Sequence, residues 1–391
     1  MTNNMKKFLV VTILACVGLF GLLFNPQFVN AQEEIKPVET VFNQPPSDEP
    51  ETLEGKVSQI IEEKLITHEG VTESQLYQKL KIIVTKGSLQ NKEITIENGT
   101  IPMSSIQKYK LGDEVVISYS KDFEGKDLFF ITDYIRRNAL LWLFLLFVVV
   151  AVGIGRWQGA TSLLGMGISF FVIFKFILPQ ISAGNDPVQI AIFGSLLIIP
   201  ATFLMSHGIN RKTLIAIAGT LIALVITGIL ASTFVEATKL TGFASEEAGF
   251  LQAFRSGQIN IKGLLLAGII IGVLGVLDDI TISQSAIVEE LRLANPKLKQ
   301  GELYKKAMSV GKDHIASMVN TLILVYTGAA LPLLLLFIDN PHPFSEIINY
   351  EIIADEVVRT LVGSIGLMLA VPITTFIATL AVNKNDKKYS I

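Results

Sequence analysis

Long apolar blocks fill the second half of the chain. Between residues 138 and 382, stretches rich in Leu, Ile, Val, Phe and Ala alternate with short polar segments. Each stretch has close to the roughly 20 residues that a helix needs to cross a bilayer. The pattern predicts a polytopic α-helical membrane protein with seven spans. We expect them at residues 138–155, 159–178, 188–206, 213–234, 261–281, 315–338 and 360–382.

Residues 52–135 have a different periodicity. Runs such as LKIIVTKG and DEVVISYS alternate apolar with polar positions, as half-buried strands do. Turns are expected at Gly87, Asn98-Gly99, Gly112-Asp113 and Gly125. The segment therefore predicts a small extracytoplasmic β-domain, with an OB-like barrel as the finer expectation. Its strands carry no aromatic and basic face, so we expect no nucleic acid partner.

The N-terminal residues 1–31 are typical of a signal peptide or an uncleaved signal anchor. Lys6 and Lys7 precede an apolar core of about 17 residues, and Val29-Asn30-Ala31 fits a small-residue cleavage pattern. Both interpretations stay open at this point. Residues 32–51 are acidic and contain several prolines, which predicts a disordered linker.

Composition supports the membrane interpretation. The 391 residues are 50% hydrophobic and 17% charged, whereas a soluble domain carries about 25% charged residues. The only cysteine, Cys16, lies in the N-terminal segment. A disulfide framework and a cysteine-based metal site are therefore excluded. We expect no cofactor and no bound metal.

Basic residues predict the orientation of the spans. Positive charge in short loops marks the cytoplasmic side of a membrane protein. The opposite loops hold few basic residues, among them Lys239 and Arg255, so we expect the β-domain outside, a cytoplasmic tail at 383–391, and a bacterial cell membrane as the location. The basic side contains Arg156, Arg211-Lys212, the run from Arg292 to Lys312, Lys384, Lys387 and Lys388.

The 235–260 loop is predicted to contain a helix of its own. This helix would begin at Ser245, with Glu246 and Glu247 in its first turn and Gly257 after its end.

The fifth predicted span contains the most unusual pair of residues. Asp278 and Asp279 lie about 24 Å along this helix from Lys262, at 1.5 Å per residue. Carboxylates at membrane depth are energetically costly and mark candidate functional sites. At about 100° per residue, Asp279 continues a stripe of glycines and Asp278 does not, so Asp279 is the first residue to test. Helix packing is expected at Gly268, Gly272 and Gly275 of this stripe, and at Gly363 and Gly366 of the last span.

Polar partners for the two carboxylates are expected on neighbouring spans. A polar face inside a membrane protein normally points into the bundle or a wet cavity. We therefore predict an intramembrane polar site between the fifth, sixth and seventh spans. Its candidate members are Asp278, Asp279, Ser283, His314, Asn320, Thr321 and Arg359.

Three runs resemble the YibE/F-like multitransmembrane family. They are GVLGVLDDITIS at 272–283, HIASMVNTLILVYTG at 314–328 and EIIADEVVRTLVGSIG at 351–366. The resemblance extends over about residues 52–382 and implies a multi-pass membrane protein. The pair of adjacent carboxylates departs from the family pattern, which has one firm acid, so the role of the neighbouring position is open. The resemblance implies no substrate.

Three functions are compatible with these residues. A permease or ion-coupled transporter would use the polar site to bind a small solute or cation. A non-transporting scaffold or assembly factor would use the β-domain and the cytoplasmic segment 282–313 to bind a membrane protein partner. An intramembrane enzyme would use Asp278, Asp279 and His314 as acid–base or metal groups, but no known catalytic motif accompanies them and we assign no catalytic residue. We favour the transporter, with the lipid bilayer as its environment.

Overall fold

A computed structural model describes residues 50–67, 74–102, 106–122, 124–254, 257–338 and 343–382. The predicted signal segment, nearly all of the predicted linker and the C-terminal tail lie outside these ranges. The chain separates into two compact units, one containing the described residues up to Val149 and the other those from Val150 onward.

The first unit contains one antiparallel sheet. Its spatial strand order is β3-β2-β1-β4-β5. The long first strand pairs with β2 on one side and with β4 on the other, and its pairing with β2 has several register shifts. Such irregularities bend a strand and increase its twist. The strands are β1 (Glu51–Ile66), β2 (Gln75–Lys86), β3 (Glu93–Asn98), β4 (Glu114–Lys121) and β5 (Asp127–Tyr134).

The sheet curls into a half-barrel around an apolar core. Its edge strands β3 and β5 contact each other. Leu53, Leu80, Ile82 and Ile117 are fully buried inside the curl. The expected β-rich domain is therefore present, while its assignment as OB-like is not confirmed.

Glycines form the turns where the sequence predicts them. Gly87, Gly99, Gly112 and Gly125 all have a positive φ. At Gly99 an added Cβ would lie 2.2 Å from the carbonyl oxygen of Leu76, so a larger residue does not fit there.

The second unit is helical, and its first helix begins in the other unit. The helices are α1 (Arg137–Val172), a π-helical turn (Ile173–Ile177), α2 (Leu178–Ser182), α3 (Pro187–His207), α4 (Arg211–Ala237), α5 (Glu246–Phe254), α6 (Ile261–Ala294), α7 (Gln300–Ala329), α8 (Leu331–Ile338), α9 (Phe344–Ile347) and α10 (Glu351–Ala381).

Five helical stretches of the described chain are long and apolar enough to cross a membrane. They are Arg137–Ser182, Pro187–His207, Arg211–Ala237, Ile261–Ala294 and Glu351–Ala381. The predicted count of seven spans is not confirmed. The first two predicted spans lie in the single stretch Arg137–Ser182, and the sixth is divided between α7 and α8.

A break in the backbone marks the boundary between the first two predicted spans. Arg156 has φ 50° and ψ −124°, outside the helical region, and kinks α1. Three residues later, an added Cβ at Gly159 would lie 2.1 Å from the carbonyl oxygen of Ala151. The kink therefore requires glycine at this position.

Helices α4, α6 and α10 form the tightest part of the bundle. An added Cβ at Gly366 of α10 would lie 2.1 Å from the hydroxyl of Thr227 on α4, and one at Gly219 of α4 would lie 2.3 Å from that of Thr374. Small residues permit such close approach between membrane helices. Helices α3 and α7 pack against the outside of this group.

The predicted helix in the 235–260 loop is confirmed. It is α5, and the hydroxyl of Ser245 accepts a hydrogen bond from the backbone N–H of Ala248 at 3.2 Å, as an N-cap does.

Candidate functional site

Helix α6 carries both acidic residues along one uninterrupted run. Asn260 caps its first turn by accepting a hydrogen bond from the N–H of Gly263 at 2.9 Å. Asp278 is half-buried and Asp279 is exposed. The two neighbouring carboxylates therefore have different surroundings.

Asp278 lies beside helix α3. Its Oδ2 accepts a hydrogen bond from the hydroxyl of Thr202 at 3.2 Å. Its Oδ1 is buried and has no hydrogen-bond partner among the described residues. A buried polar atom without a partner costs about 1–3 kcal/mol, and more if it is charged. The structure thus places a carboxyl group where only half of its hydrogen-bonding capacity is used.

The hydroxyl of Thr202 has more acceptors than it has protons. It lies 3.0 Å from the carbonyl oxygen of Ile198 and 3.1 Å from that of Ile199, in addition to Asp278. A hydroxyl donates one hydrogen bond and accepts up to two. When Thr202 donates to its own helix, it can only accept from Asp278, and this requires a proton on the carboxyl group. When it donates to Asp278, the carboxylate needs no proton.

Pro200 breaks the hydrogen-bond ladder of α3 next to this contact. Proline has no backbone N–H, so the carbonyl group four residues earlier loses its usual helical donor. The backbone acceptor that is freed is the carbonyl group of Leu196, somewhat less than two turns before Thr202.

A buried polar layer continues from Asp278 around α6. The hydroxyls of Thr281 and Thr220 on α4 are 2.7 Å apart. The amide nitrogen of Gln284 donates to the hydroxyl of Thr375 on α10 at 2.7 Å and to the carbonyl oxygen of Ala307 on α7 at 3.1 Å. All four of these side chains are fully buried. The layer links α4, α7 and α10 to α6 over the two helical turns that follow Asp278.

The polar face of α7 lies apart from Asp278. His314 is half-buried, and Asn320 and Thr321 are exposed. The hydroxyl of Thr321 donates to the carbonyl oxygen of Ser317 in its own helix at 3.2 Å. Within the described ranges, no hydrogen bond joins these three residues to either acidic residue of α6. Ser283, one turn after Asp279, is half-buried.

Arg359 belongs to a second polar group, near the start of α10. Its Nη2 donates to Oδ2 of Asp355 at 3.1 Å, and its Nε lies 3.9 Å from a carboxylate oxygen of Glu356. An added Cβ at Gly363 would lie 3.2 Å from Val273, which fixes the level of α10 against α6. Counting residues from this contact, Arg359 lies about 14 Å along the helix axis from Asp278. The structure therefore does not bring the two residues together.

The predicted packing glycines also fall into two groups. Gly363 and Gly366 face neighbouring helices closely. Gly268, Gly272 and Gly275 are exposed, and within the described chain an added Cβ at Gly268 or Gly275 would meet nothing within 4 Å. At Gly272 it would lie 3.5 Å from the hydroxyl of Tyr326 on α7. The glycine stripe and Asp279 therefore share one open face of α6.

Sequence reasoning missed several members of the site. It did not select Thr202, Thr220, Gln284 or Asp355. A polar residue at each turn of α6 after Asp278 was the available signal for Gln284, but the hydroxyls of α3 and α4 resemble many others in membrane helices. Among the described residues, no group of three or more His, Cys, Asp or Glu side chains could hold a metal ion.

A family model described as YibE/F-like protein matches residues 143–384. The match covers the helical part of the chain. The resemblance noted in the sequence was expected to include the β-rich residues from about 52 onward, and the match does not extend over them. No curated protein and no solved structure matches the chain.

Proposed function

The chain belongs to the YibE/F-like protein family, and we propose that it is a proton-coupled permease in which Asp278 takes up and releases the coupling proton. The apolar helices and the family together indicate a membrane protein. The observation that carries the proposal is the buried, unpartnered Oδ1 of Asp278.

The energetics favour a functional role for this carboxyl group. A charged side chain inside a membrane helix costs several kcal/mol unless it is paired. Asp278 has only the neutral hydroxyl of Thr202 as its hydrogen-bond partner. An asparagine or threonine at this position would avoid the charge, but neither could take up and release a proton.

Thr202 would act as a positioning residue for the proton. In the protonated state, Asp278 donates to Thr202, and Thr202 donates to the carbonyl group of Ile198 or Ile199. In the deprotonated state, the hydroxyl turns and donates to the carboxylate. A rotation of one hydroxyl thus accompanies each proton transfer, and it changes the hydrogen bonding of α3 beside Pro200.

The topology that we propose has seven passes in the bacterial cell membrane. The kink at Arg156 would separate the first two passes, and α7 with α8 would form the sixth. The positive-inside rule supports a cytoplasmic C-terminus and an extracytoplasmic β-domain over residues 52–135, preceded by the signal segment and linker. Strand β1 pairs with both β2 and β4, and β3 contacts β5, the connectivity that a closed five-stranded barrel of OB type requires.

Proton movement in proteoliposomes tests the proposal. The purified full chain is reconstituted with a pH-sensitive dye inside the vesicles, and panels of small solutes are added outside at constant pH. We expect wild-type vesicles to show solute-dependent proton movement. Asp278→Asn keeps the shape and removes the acid, so its signal should fall to that of protein-free vesicles.

The chain offers a matched control in the adjacent residue. Asp279→Asn makes the same chemical change at an exposed position and should retain the wild-type signal. Infrared difference spectra between acidic and neutral pH give a second readout that needs no solute. Among the bands of protonated carboxylic acids, the component of Asp278 should be missing in Asp278→Asn and present in Asp279→Asn. Equal spectra and equal fluxes in wild type and Asp278→Asn would refute the proposal.

A further inference from the structure

A cavity of about 260 Å³ lies beside the second polar group. Helix α5, the first turns of α6 and the start of α10 line this open cavity. Leu251, Leu264 and Leu265 contribute apolar surface. The charged lining residues are two carboxylates, Glu247 and Asp355, and one guanidinium group, that of Arg359. The volume is below the roughly 300–1,000 Å³ of sites for drug-sized ligands, so the cavity suits a small molecule.

The rim of the cavity is fixed by the first residue of α10. Glu351 accepts hydrogen bonds from the backbone N–H groups of Thr241 and Gly242 at 2.6 and 2.9 Å, and from the hydroxyl of Thr241 at 2.7 Å. Gly242 lines the cavity and has a positive φ of 88°. An added Cβ there would lie 2.8 Å from the carbonyl oxygen of Ile261. These contacts hold the loop before α5 against α10 and α6.

Asp355 and Arg359 do not satisfy each other. They share one hydrogen bond, from Nη2 to Oδ2. Oδ1 of Asp355 is buried without a partner, and the side chain of Asp355 is only 13% exposed. Arg359 has five N–H donors, and among the described residues only this one hydrogen bond uses them. The pair that lines the cavity therefore leaves one carboxylate oxygen and most of the guanidinium donors without a hydrogen bond among the described residues.

We propose that this cavity binds a small zwitterion, an α-amino acid with an apolar side chain. The ammonium group of the ligand would donate to Asp355, and its carboxylate would accept from Arg359, a pairing that guanidinium groups form in bidentate geometry. The apolar side chain would lie against the leucines. The inference rests on the proposed function and deepens it, because it names the class of solute that the proton would drive.

A neighbouring cavity shows why both charges matter. It has a volume of about 220 Å³ and lies between α7, α8 and α10, with Glu356 as its only charged lining residue. The rest of its lining is largely apolar, with Ile323, Leu334 and Val357 among the contributors. A single carboxylate there offers a partner to a cation and none to a carboxylate. Of these two cavities, only the one lined by Asp355 and Arg359 offers both of the charges that a zwitterion needs.

The cavity adjoins the glycine stripe of α6. Gly268 is one of its lining residues and begins the open glycine stripe of α6. This stripe continues through Gly272 and Gly275 to the turn that carries the two acidic residues.

Binding to the purified full chain tests the inference without transport. The probes are alanine, valine, leucine, methionine and phenylalanine, with 3-methylbutylamine and 4-methylpentanoate as leucine analogues that each lack one charge. We expect at least one amino acid to bind and to raise the thermal unfolding midpoint. For leucine, each analogue should bind about tenfold more weakly or worse, a difference of about 1.4 kcal/mol.

Variants separate this site from the proton site. Asp355→Asn and Arg359→Gln should each abolish amino acid binding, whereas Asp279→Asn, the same kind of change at an exposed carboxylate outside the cavity lining, should retain it. Asp278→Asn should bind the ligand like wild type and fail only in proton movement, so failure of the two proposals is distinguishable. Absence of binding by all five amino acids, or equal binding of leucine and 3-methylbutylamine, would overturn the inference.

Discussion

Asp278 and Asp355 are both carboxylates in long apolar helices, and each has one oxygen buried without a partner. They differ in what contacts the other oxygen. Asp355 receives a hydrogen bond from the guanidinium group of Arg359, and Asp278 receives one from the neutral hydroxyl of Thr202. The permanent cation of Arg359 balances the charge of Asp355, whereas the hydroxyl of Thr202 cannot balance the charge of Asp278.

This difference assigns different work to the two residues. A guanidinium group stays charged in proteins, so the pair at Asp355 is a fixed arrangement of opposite charges that suits recognition of a charged ligand. Asp278 can exchange a proton with little rearrangement, because Thr202 has other acceptors in its own helix. The following predictions test this contrast, from the largest expected effect to the smallest.

Removing the cation from the ion pair between Arg359 and Asp355 should have the largest effect on the free energy of unfolding. Arg359→Met keeps the apolar stem and leaves Asp355 and Glu356 without a balancing charge. We expect the free energy of unfolding to fall by about 2 kcal/mol, less than the 3–5 kcal/mol for a fully buried pair because Arg359 is 31% exposed. Unfolding of the full chain in detergent measures it.

The matched control is an exposed ion pair on the same unit. Lys262 lies 2.5 Å from Glu236, and the two side chains are 38% and 79% exposed. Lys262→Met should change the free energy of unfolding by less than about 1 kcal/mol. If the two substitutions lowered the free energy of unfolding equally, the pair Arg359–Asp355 would not differ from the surface pair Lys262–Glu236.

Neutralising the two carboxylates should change stability in opposite directions. Asp278→Asn removes an unbalanced acid and should raise the free energy of unfolding at neutral pH by about 1 kcal/mol. Asp355→Asn leaves Arg359 without its hydrogen-bonded carboxylate and should lower it by about 1 kcal/mol. Unfolding curves recorded side by side decide the sign. Two losses of similar size would show that both carboxylates are structural.

Removing the hydroxyl partner should affect only the Asp278 site. Thr202→Val keeps the shape of the side chain, and we expect it to shift the infrared band of the Asp278 carboxyl group and to lower the free energy of unfolding by about 1 kcal/mol. Thr202→Ser retains a hydroxyl and should preserve the band position. A band that is unchanged in Thr202→Val would mean that the contact with Thr202 plays no part.

The smallest effect is expected for an ion pair in the β-rich unit. Both terminal nitrogens of Arg137 donate to Glu54, at 2.7 and 2.6 Å, and these hydrogen bonds hold the pKa of Glu54 below its ordinary value. The stabilisation is therefore complete above the ordinary pKa and is lost as the pH falls through the folded-state pKa. Since Arg137 is 61% exposed, it should amount to less than about 1 kcal/mol.

The comparison for this pair is made across pH. Glu54→Gln should be less stable than wild type at neutral pH, and the difference between their unfolding midpoints should close as the pH falls toward about 3. A difference that grows on acidification would mean that the sign of the pKa shift is wrong.

The sequence predicted local structure well where local chemistry determines it. The positive-φ glycines at the turns and the Ser245 cap of α5 depend on residues that are close in the chain. The count of spans was harder, because the break at Arg156 lies inside a continuous helical stretch and involves no proline. The sixth predicted span mixes polar and apolar residues, so length and composition alone do not identify it.

The site was only partly predictable for a different reason. The sequence identified the turn with Asp278 and Asp279 and the stripe that Asp279 shares with the glycines. It could not decide which face of α6 meets α3, because lipid and helix neighbours are both apolar and leave similar patterns. Thr202 and Gln284 therefore emerge only from the packing. Likewise, Arg359 was expected near Asp278. The level of α10 against α6 keeps the two residues apart, and Arg359 bonds to Asp355 of its own helix.

Helix α6 has 34 residues and is therefore about 51 Å long, whereas the hydrocarbon layer is about 30 Å thick. Near its end, the fully buried Arg292 donates hydrogen bonds to the carbonyl oxygens of Pro296 and Leu298, at 3.2 and 2.7 Å. These bonds clamp the end of α6 to the turn that leads into α7. The acidic residues of α6 therefore lie near the middle of a long rigid helix, and α7 is attached to the end of that helix. If α6 rotated slightly about a point near Asp278, Arg292 would be displaced, because it lies about 21 Å further along the helix. This displacement would carry the start of α7 with it.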